Sequence, residues 1–366
     1  MRIAETARKF GATLCLGALA LAVVGTTPSK AVPLSPGLIL VTDQDLGAVV
    51  AVEPATGDRT ILSDSATGAG PDFSTPTGIA LADGGAVFVT DVGSAAVFSV
   101  DPATGDRTIL SDGTTGTGPV FVLPIGLALA GDGTLLVADA NLGAVIRVDP
   151  ATGDRTILSD GATGAGADFE VPFALAATDG GAIIVTDNSR NTVFSVDPAS
   201  GDRTILADGT TGSGPDFSLL TGLALGAGGA ILVTDPGLGA VIDVDPASGD
   251  RTILSDSATG SGPGFSVPFG LALAGDGTIL VADADLDAVF SIDPATGDRT
   301  ILADGAIGAG PDFQAPRFLA IVPAGAPVPE PGTLALFGLA LAGLGVARRK
   351  RGRRRAPAIR YSPQVL

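Results

Sequence analysis

The 366-residue chain contains no histidine and no tryptophan, and one residue each of cysteine, methionine and tyrosine. Without histidine there is no imidazole base, no Ser–His or Cys–His nucleophile pair and no His-ligated zinc. Cys15 lies in an N-terminal apolar run, so the rest of the chain offers no disulfide, thiol nucleophile or thiolate metal site. Lysine occurs only at Lys9, Lys30 and Lys350, which removes a Schiff-base lysine from the body. Lys and Arg total 21 against 39 Asp and Glu. Nucleic-acid binding draws on clustered cations, so no nucleic-acid partner is expected. With tyrosine only at Tyr361, the aromatic platforms that stack on sugars are missing too. What abounds is small and turn-forming, with 53 Gly and 26 Pro, beside a hydrophobic share of 45% that suffices for a large core.

The two ends read as addresses. Residues 1–32 have the layout of a secretory signal peptide, with cleavage expected near Ala31: Arg2, Arg8 and Lys9, then an apolar run from Gly11 to Gly25, then small residues. At the other end Pro329-Glu330-Pro331 precedes an apolar stretch, read as a transmembrane helix over 332–347. A basic cluster that includes Arg348, Arg349, Lys350 and Arg351 follows. The cluster places the tail in the cytoplasm and the body outside it. This order over 327–355 resembles the PEP-CTERM sorting signal of Gram-negative bacteria. The resemblance implies an exosortase-type processing enzyme as partner and a membrane held through the C-terminal helix before processing. Residues 356–366 form an extra tail that the family usually lacks.

Between the addresses one unit is written six times. Gly-Asp-Arg begins at Gly57, Gly105, Gly153, Gly201, Gly249 and Gly297, always 48 residues apart. The units run 38–85, 86–133, 134–181, 182–229, 230–277 and 278–325, inside a domain spanning 33–326. Within 86–133 short β-branched runs are predicted as strands at 86–90, 96–100, 107–110 and 126–130, separated by Pro/Gly turns and one Gly-rich loop over 111–124. Four strands per unit and no helix predict an all-β, six-bladed propeller. The block starts one strand out of phase, so the last strand is expected to complete the first blade and close the ring. The unit resembles the NHL repeat through Gly68-Ala69-Gly70-Pro71-Asp72-Phe73, Pro76-Thr77-Gly78-Ile79-Ala80, Asp83-Gly84 and Val89-Thr90-Asp91.

That resemblance implies that the strand beginning Gly-Ile-Ala lines the central channel, with the residue before its Gly at the mouth: Thr77, Ile125, Phe173, Thr221, Phe269 and Arg317. These are the ligand-binding candidates, Arg317 through a guanidinium suited to carboxylate or phosphate. Propellers similar to gluconolactonases carry Asn or Asp there to bind a divalent metal; this sequence has neither at any of the six. No catalytic residue is assigned and no cofactor is expected. The strand-end carboxylates Asp43, Asp91, Asp139, Asp187, Asp235 and Asp283 read as acceptors for backbone N–H groups of the following loop. Asp283, Asp285 and Asp287 resemble the start of a calcium-binding EF-hand loop, but the required Gly and late Glu are missing, with Pro294 at the twelfth position. They are the only candidates for Ca²⁺. The Gly-Asp-Arg triplet reads as the start of a strand, with Asp58 and Arg59 in a surface ladder of opposite charges. Phe73, Phe121, Phe169, Phe217, Phe265 and Phe313 read as core anchors of the Gly-rich loops, and Glu170, Arg147, Asn188 to Asn191, Asp243 and Arg317 as departures from the repeat that mark where function would lie.

The expected product is an exported, non-enzymatic binding or structural protein of the cell envelope or extracellular matrix, with exopolysaccharide or envelope proteins as partners. The alternatives are a metal-assisted hydrolase or lactonase and an extracellular sensor that uses the channel mouth. Residues 33–326 hold 37 acids against 9 Arg, a net −28. All but Glu53 and Glu170 of these acids are Asp, mostly at repeated turn positions.

Overall fold

The computed structural model describes residues 32–82 and 84–323. The expected signal segment up to Ala31, the sorting signal 327–355 with its apolar run, and the tail 356–366 lie outside the described residues. No described helix is long and apolar enough to cross a membrane.

The architecture is a six-bladed β-propeller. Six four-stranded antiparallel sheets stand around an axis, and the one helical piece among the described residues is a 3-10 turn at Ala227–Gly229. The second blade shows the plan, from the axis outward: Pro76–Leu81, Val87–Asp91, Ala96–Val100 and Arg107–Ser111. The channel-lining strand starts two residues earlier than the sequence predicts, at Pro124 rather than Gly126 in the third blade. Proline is acceptable there because the first residue of a strand need not donate to the ladder. The second strand of every blade is buried along its whole length. That explains runs such as Ile39-Leu40-Val41, which lack alternation because both faces of the sheet meet a neighbouring sheet. The core is accordingly divided into six apolar clusters, one between each pair of neighbouring blades.

The ring closes as its phase requires. Pro316–Ile321 is the innermost strand of the first blade and pairs with Ile39–Asp43. Gly37 N–H donates to Val322 O and Val322 N–H to Leu38 O, both at 2.9 Å.

The perimeter departs from expectation. The arginines of the Gly-Asp-Arg triplets are not a surface ladder: Arg59, Arg107, Arg155, Arg203, Arg251 and Arg299 are only 3–6% exposed. Each enters the Gly-rich loop of the preceding blade. Arg107 Nε donates to Pro71 O at 2.7 Å, and its Nη1 donates to Ser63 Oγ, Asp64 O and Thr67 O. Its guanidinium lies 5.5 Å from the Phe73 ring centroid, and the other five repeat this at 5.2–5.6 Å. Asp106 accepts Ala69 N–H across the same junction. Arg59 makes the equivalent clamp on Pro311 O and Ile307 O, across the closure seam. Burying a guanidinium is tolerated because donors and carbonyls satisfy one another. Gly70 makes this closeness possible: φ is +107°, and a Cβ there would lie 1.9 Å from Arg107 O.

Four of the six arginines also approach an exposed carboxylate, such as Asp168 at 3.1 Å from Arg203, whose side chain is 62% exposed. Arg155 and Arg299 face Val120 and Gly264 instead and keep the rest of the clamp. The charge pair is thus absent from two copies, whereas the carbonyl cradle is present in all six.

Candidate functional site at the channel mouth

The channel is lined by the six innermost strands, and its mouth is shaped by a bulge. In the second blade Pro76 pairs with Asp91 and Ile79 with Val89, so Thr77 and Gly78 together oppose one residue, Thr90. Thr90 Oγ1 donates to Ile125 O of the next blade at 2.6 Å and accepts Gly78 N–H at 2.8 Å. Thr42 and Thr234 make the corresponding inter-blade bonds to Thr77 O and Phe269 O. The bulge is thus stitched to its neighbour. A Cβ at Gly126 would lie 2.4 Å from Phe173 O, which shows how closely the innermost strands approach.

The six predicted mouth residues divide into two groups. Thr77, Ile125 and Thr221 are buried. The two threonines point into the stitching, with Thr77 Oγ1 3.1 Å from Thr90 Oγ1 and Thr221 Oγ1 3.1 Å from Thr234 Oγ1. Phe173, Phe269 and Arg317 are half-buried and meet one another near the axis. The Phe173 and Phe269 rings are 5.5 Å apart, edge to face. Phe318 joins them at 6.5 and 5.4 Å. Sequence reasoning missed Phe318, although the signal was present: the other copies have Gly78, Gly126, Ala174, Gly222 and Gly270 at its place. The guanidinium of Arg317 lies 4.6 Å from the Phe269 centroid. The mouth is an aromatic plug with one cation set on it.

Arg317 Nε is buried without a hydrogen-bond partner, and among the described residues Arg317 makes no ion pair. Burial lowers its pKa, opposed by the charges of Asp45 and Asp43. Guanidinium remains protonated regardless, so the mouth holds a partly desolvated positive charge.

Around this plug the strand-end carboxylates are fully used. Asp91 accepts N–H bonds from Ser74, Thr75 and Ser94 at 2.8–2.9 Å. Asp283 accepts from Ser266, Val267, Asp285 and Leu286 at 2.8–3.2 Å. The acceptor role extends to the loop that precedes the channel strand as well as the turn that follows the carboxylate. Asp285 accepts the Ser266 hydroxyl at 3.0 Å. Burial raises the Asp287 pKa, helped by Asp43, Asp285, Asp45 and Asp283 in that order. Among the described residues no three Asp or Glu side chains are arranged to hold a metal ion. The mouth residues therefore do not fit the divalent metal of gluconolactonase-like propellers.

The other departures make local contacts. Arg190 pairs with Glu170 at 3.6 Å. Asn188 Nδ2 donates to Leu220 O at 2.8 Å, and Arg147 donates to Pro198 O at 2.7 Å. Asp243 has a pKa raised by burial and by Asp245.

Residues 327–351 match the PEP-CTERM protein-sorting motif. The chain carries a PEP-CTERM sorting signal. That signal implies export in a Gram-negative bacterium, membrane anchoring before processing, and recognition by exosortase-type machinery. No curated protein matches the chain in sequence. Solved structures match the propeller. A chain of a nidogen/laminin complex is 17% identical over 78% of this chain and 98% of its own length, with a TM-score of 0.61. A gluconolactonase from Xanthomonas campestris is 19% identical over 77% and 89%, with a TM-score of 0.53. A streptogramin B lyase is 12% identical over 80% and 88%, with a TM-score of 0.53. At these identities the likeness is one of fold, shared by enzymes and by a protein of a binding complex.

Proposed function

We propose that the chain is an exported, non-enzymatic propeller that works as a binding or structural module of the cell envelope or extracellular matrix. One observation carries this reading: the carboxylates ringing the mouth are spent on backbone N–H groups, and the mouth itself is filled by Phe173, Phe269, Phe318 and Arg317. An aromatic plug with a desolvated cation recognises; it has no base, nucleophile or ligand set to turn over a substrate. The solved structures that share the fold include a gluconolactonase, so the test sets the two against each other. The purified chain is assayed for lactone hydrolysis with and without chelator, and for co-sedimentation with exopolysaccharide and envelope fractions. The expected result is retention that chelator does not change and hydrolysis no faster than buffer. Chelator-sensitive hydrolysis abolished by Asp283→Ala would overturn the reading. The sensor alternative rests on Arg317: an anionic ligand whose binding is lost in Arg317→Ala would favour it.

A further inference from the structure

The propeller has two unlike faces, and the chain leaves from only one of them. The innermost strand of the first blade starts at the mouth, where Pro316 pairs with Asp43, and ends at Ile321 opposite Ile39. Val322 is then tied to Leu38. The chain therefore departs beside the axis on the face built from the tight turns. That face holds a cavity of about 690 Å³ between the strand ends Leu81, Leu129 and Ala177. Its outer turns are closed by the exposed carboxylates of Asp101, Asp149, Asp197, Asp245 and Asp293. The mouth face is the apolar one. Of the seven large aliphatic side chains exposed among the described residues, Val122, Leu142, Leu219, Leu238 and Leu286 lie on it. Their backbone N–H groups bond to Asp139, Asp235 and Asp283.

By composition alone, the mouth face is the one that would enter a bilayer. The tether opposes it. Residues 324–331 separate the propeller from the apolar run, and eight residues extend over at most about 28 Å. To bring that run to the mouth face, the tether would have to go around a blade. Four strands at about 4.8 Å spacing put the outer strand about 14 Å from the inner, and a five-residue strand spans about 16 Å, so the path out and across to the plane of the mouth face is about 30 Å, which the tether approaches only at full extension. We infer that, while its C-terminal segment holds the chain in a membrane, the propeller stands with its tight-turn face toward the bilayer and its channel mouth away from it. The acidic turns keep that face hydrated beside the headgroups, and the plug, Arg317 and the exposed leucines face outward, where a non-lipid partner meets them. The inference rests on the anchoring proposed for residues 332–347.

The test uses two labels on one blade. In a Cys15→Ser background, full-length chains carrying Asp179→Cys or Ser189→Cys are dye-labelled and reconstituted into phosphatidylcholine vesicles containing a headgroup-borne quencher. Asp179 lies in the turn before Ile183–Asp187 and Ser189 in the turn after it, both exposed. The strand between them spans about 16 Å, so quenching from position 179 is expected to be about twofold stronger or more. Equal quenching, or stronger quenching from 189, would overturn the orientation and, in the second case, mean that the leucine-bearing face inserts. Extraction of the unprocessed chain from vesicles by alkaline carbonate without detergent would instead overturn the anchoring, and the orientation with it.

Discussion

The perimeter and the mouth of this propeller are built by opposite rules. At the perimeter the same clamp appears six times: a buried Arg, a phenylalanine beneath it and a cradle of carbonyls from the preceding blade. At the mouth the six equivalent positions carry Thr, Ile, Phe, Thr, Phe and Arg, and only three of them meet near the axis. A position that holds blades together has the same surroundings in every copy and tolerates one solution. A position on the axis sees all its counterparts at once, and six copies of a large side chain would not fit. Repetition thus marks what maintains the ring, and divergence marks where the ring can be particular about a ligand.

This contrast can be put under strain experimentally. The largest effect is expected from Arg203→Ala, which removes a donor from Ala167 O, Asp160 O, Thr163 O and Ser159 Oγ. A loss of about 3–5 kcal/mol in denaturant unfolding is expected. Arg155→Ala, which has no facing carboxylate to lose, should cost nearly the same; a much smaller cost would show that the charge pair, not the cradle, stabilises the perimeter. Phe269→Ala comes next, at about 1–2 kcal/mol, because the ring is half-exposed and its partners are Phe173, Phe318 and Arg317. Its effect should be confined to the mouth, leaving hydrogen-exchange protection of the perimeter strands unchanged.

Arg317→Met is expected to stabilise the fold by about 1 kcal/mol, since it removes a buried nitrogen that has no partner and keeps the contact with the rings. Destabilisation would mean that Arg317 belongs with the structural arginines. The smallest effect is a pH dependence at the seam. Asp287 has its pKa raised by burial and four neighbouring carboxylates, so its charge destabilises the folded state at neutral pH and the penalty fades as pH falls toward 4. Asp287→Asn should therefore raise stability at pH 7 by about a few tenths of a kcal/mol and change nothing near pH 4. The loop carboxylates Asp160, Asp208 and Asp256 run the other way. Backbone N–H bonds lower their pKa despite burial, so the stability they contribute is present above pH 4 and is lost in acid.

Most of the architecture was legible in the residues. The 48-residue period, the four β-branched runs per unit and the phase of the block gave blades, strands and closure, because each depends on local propensity and on counting. The triplet arginines were misread because their partners are 36 to 44 residues away in another blade, while the nearest charge in sequence is the adjacent Asp. The position of Arg317 at the mouth was implied by the resemblance to the NHL repeat, but its setting on Phe269 depends on Phe318 and on two blades that are neighbours only in the closed ring. The bulge at Thr77 and Gly78 was invisible, since no local pattern marks it: the register also shifts at Pro124/Gly126 and Pro268/Leu271, where the facing strands carry Ala138 and Ala282 in place of Thr90.

The closure also sets an order of events. Ile39–Asp43 has no inner partner until Pro316–Ile321 arrives, and Arg59 has no loop to hold until residues 307–311 do. A chain that emerges N-terminus first cannot finish its first blade until Pro316–Ile321 has emerged. The missing strand leaves the export machinery only just ahead of the sorting signal. Completion of the ring and arrival of the processing signal are thereby nearly simultaneous, so a chain cut short anywhere upstream presents neither.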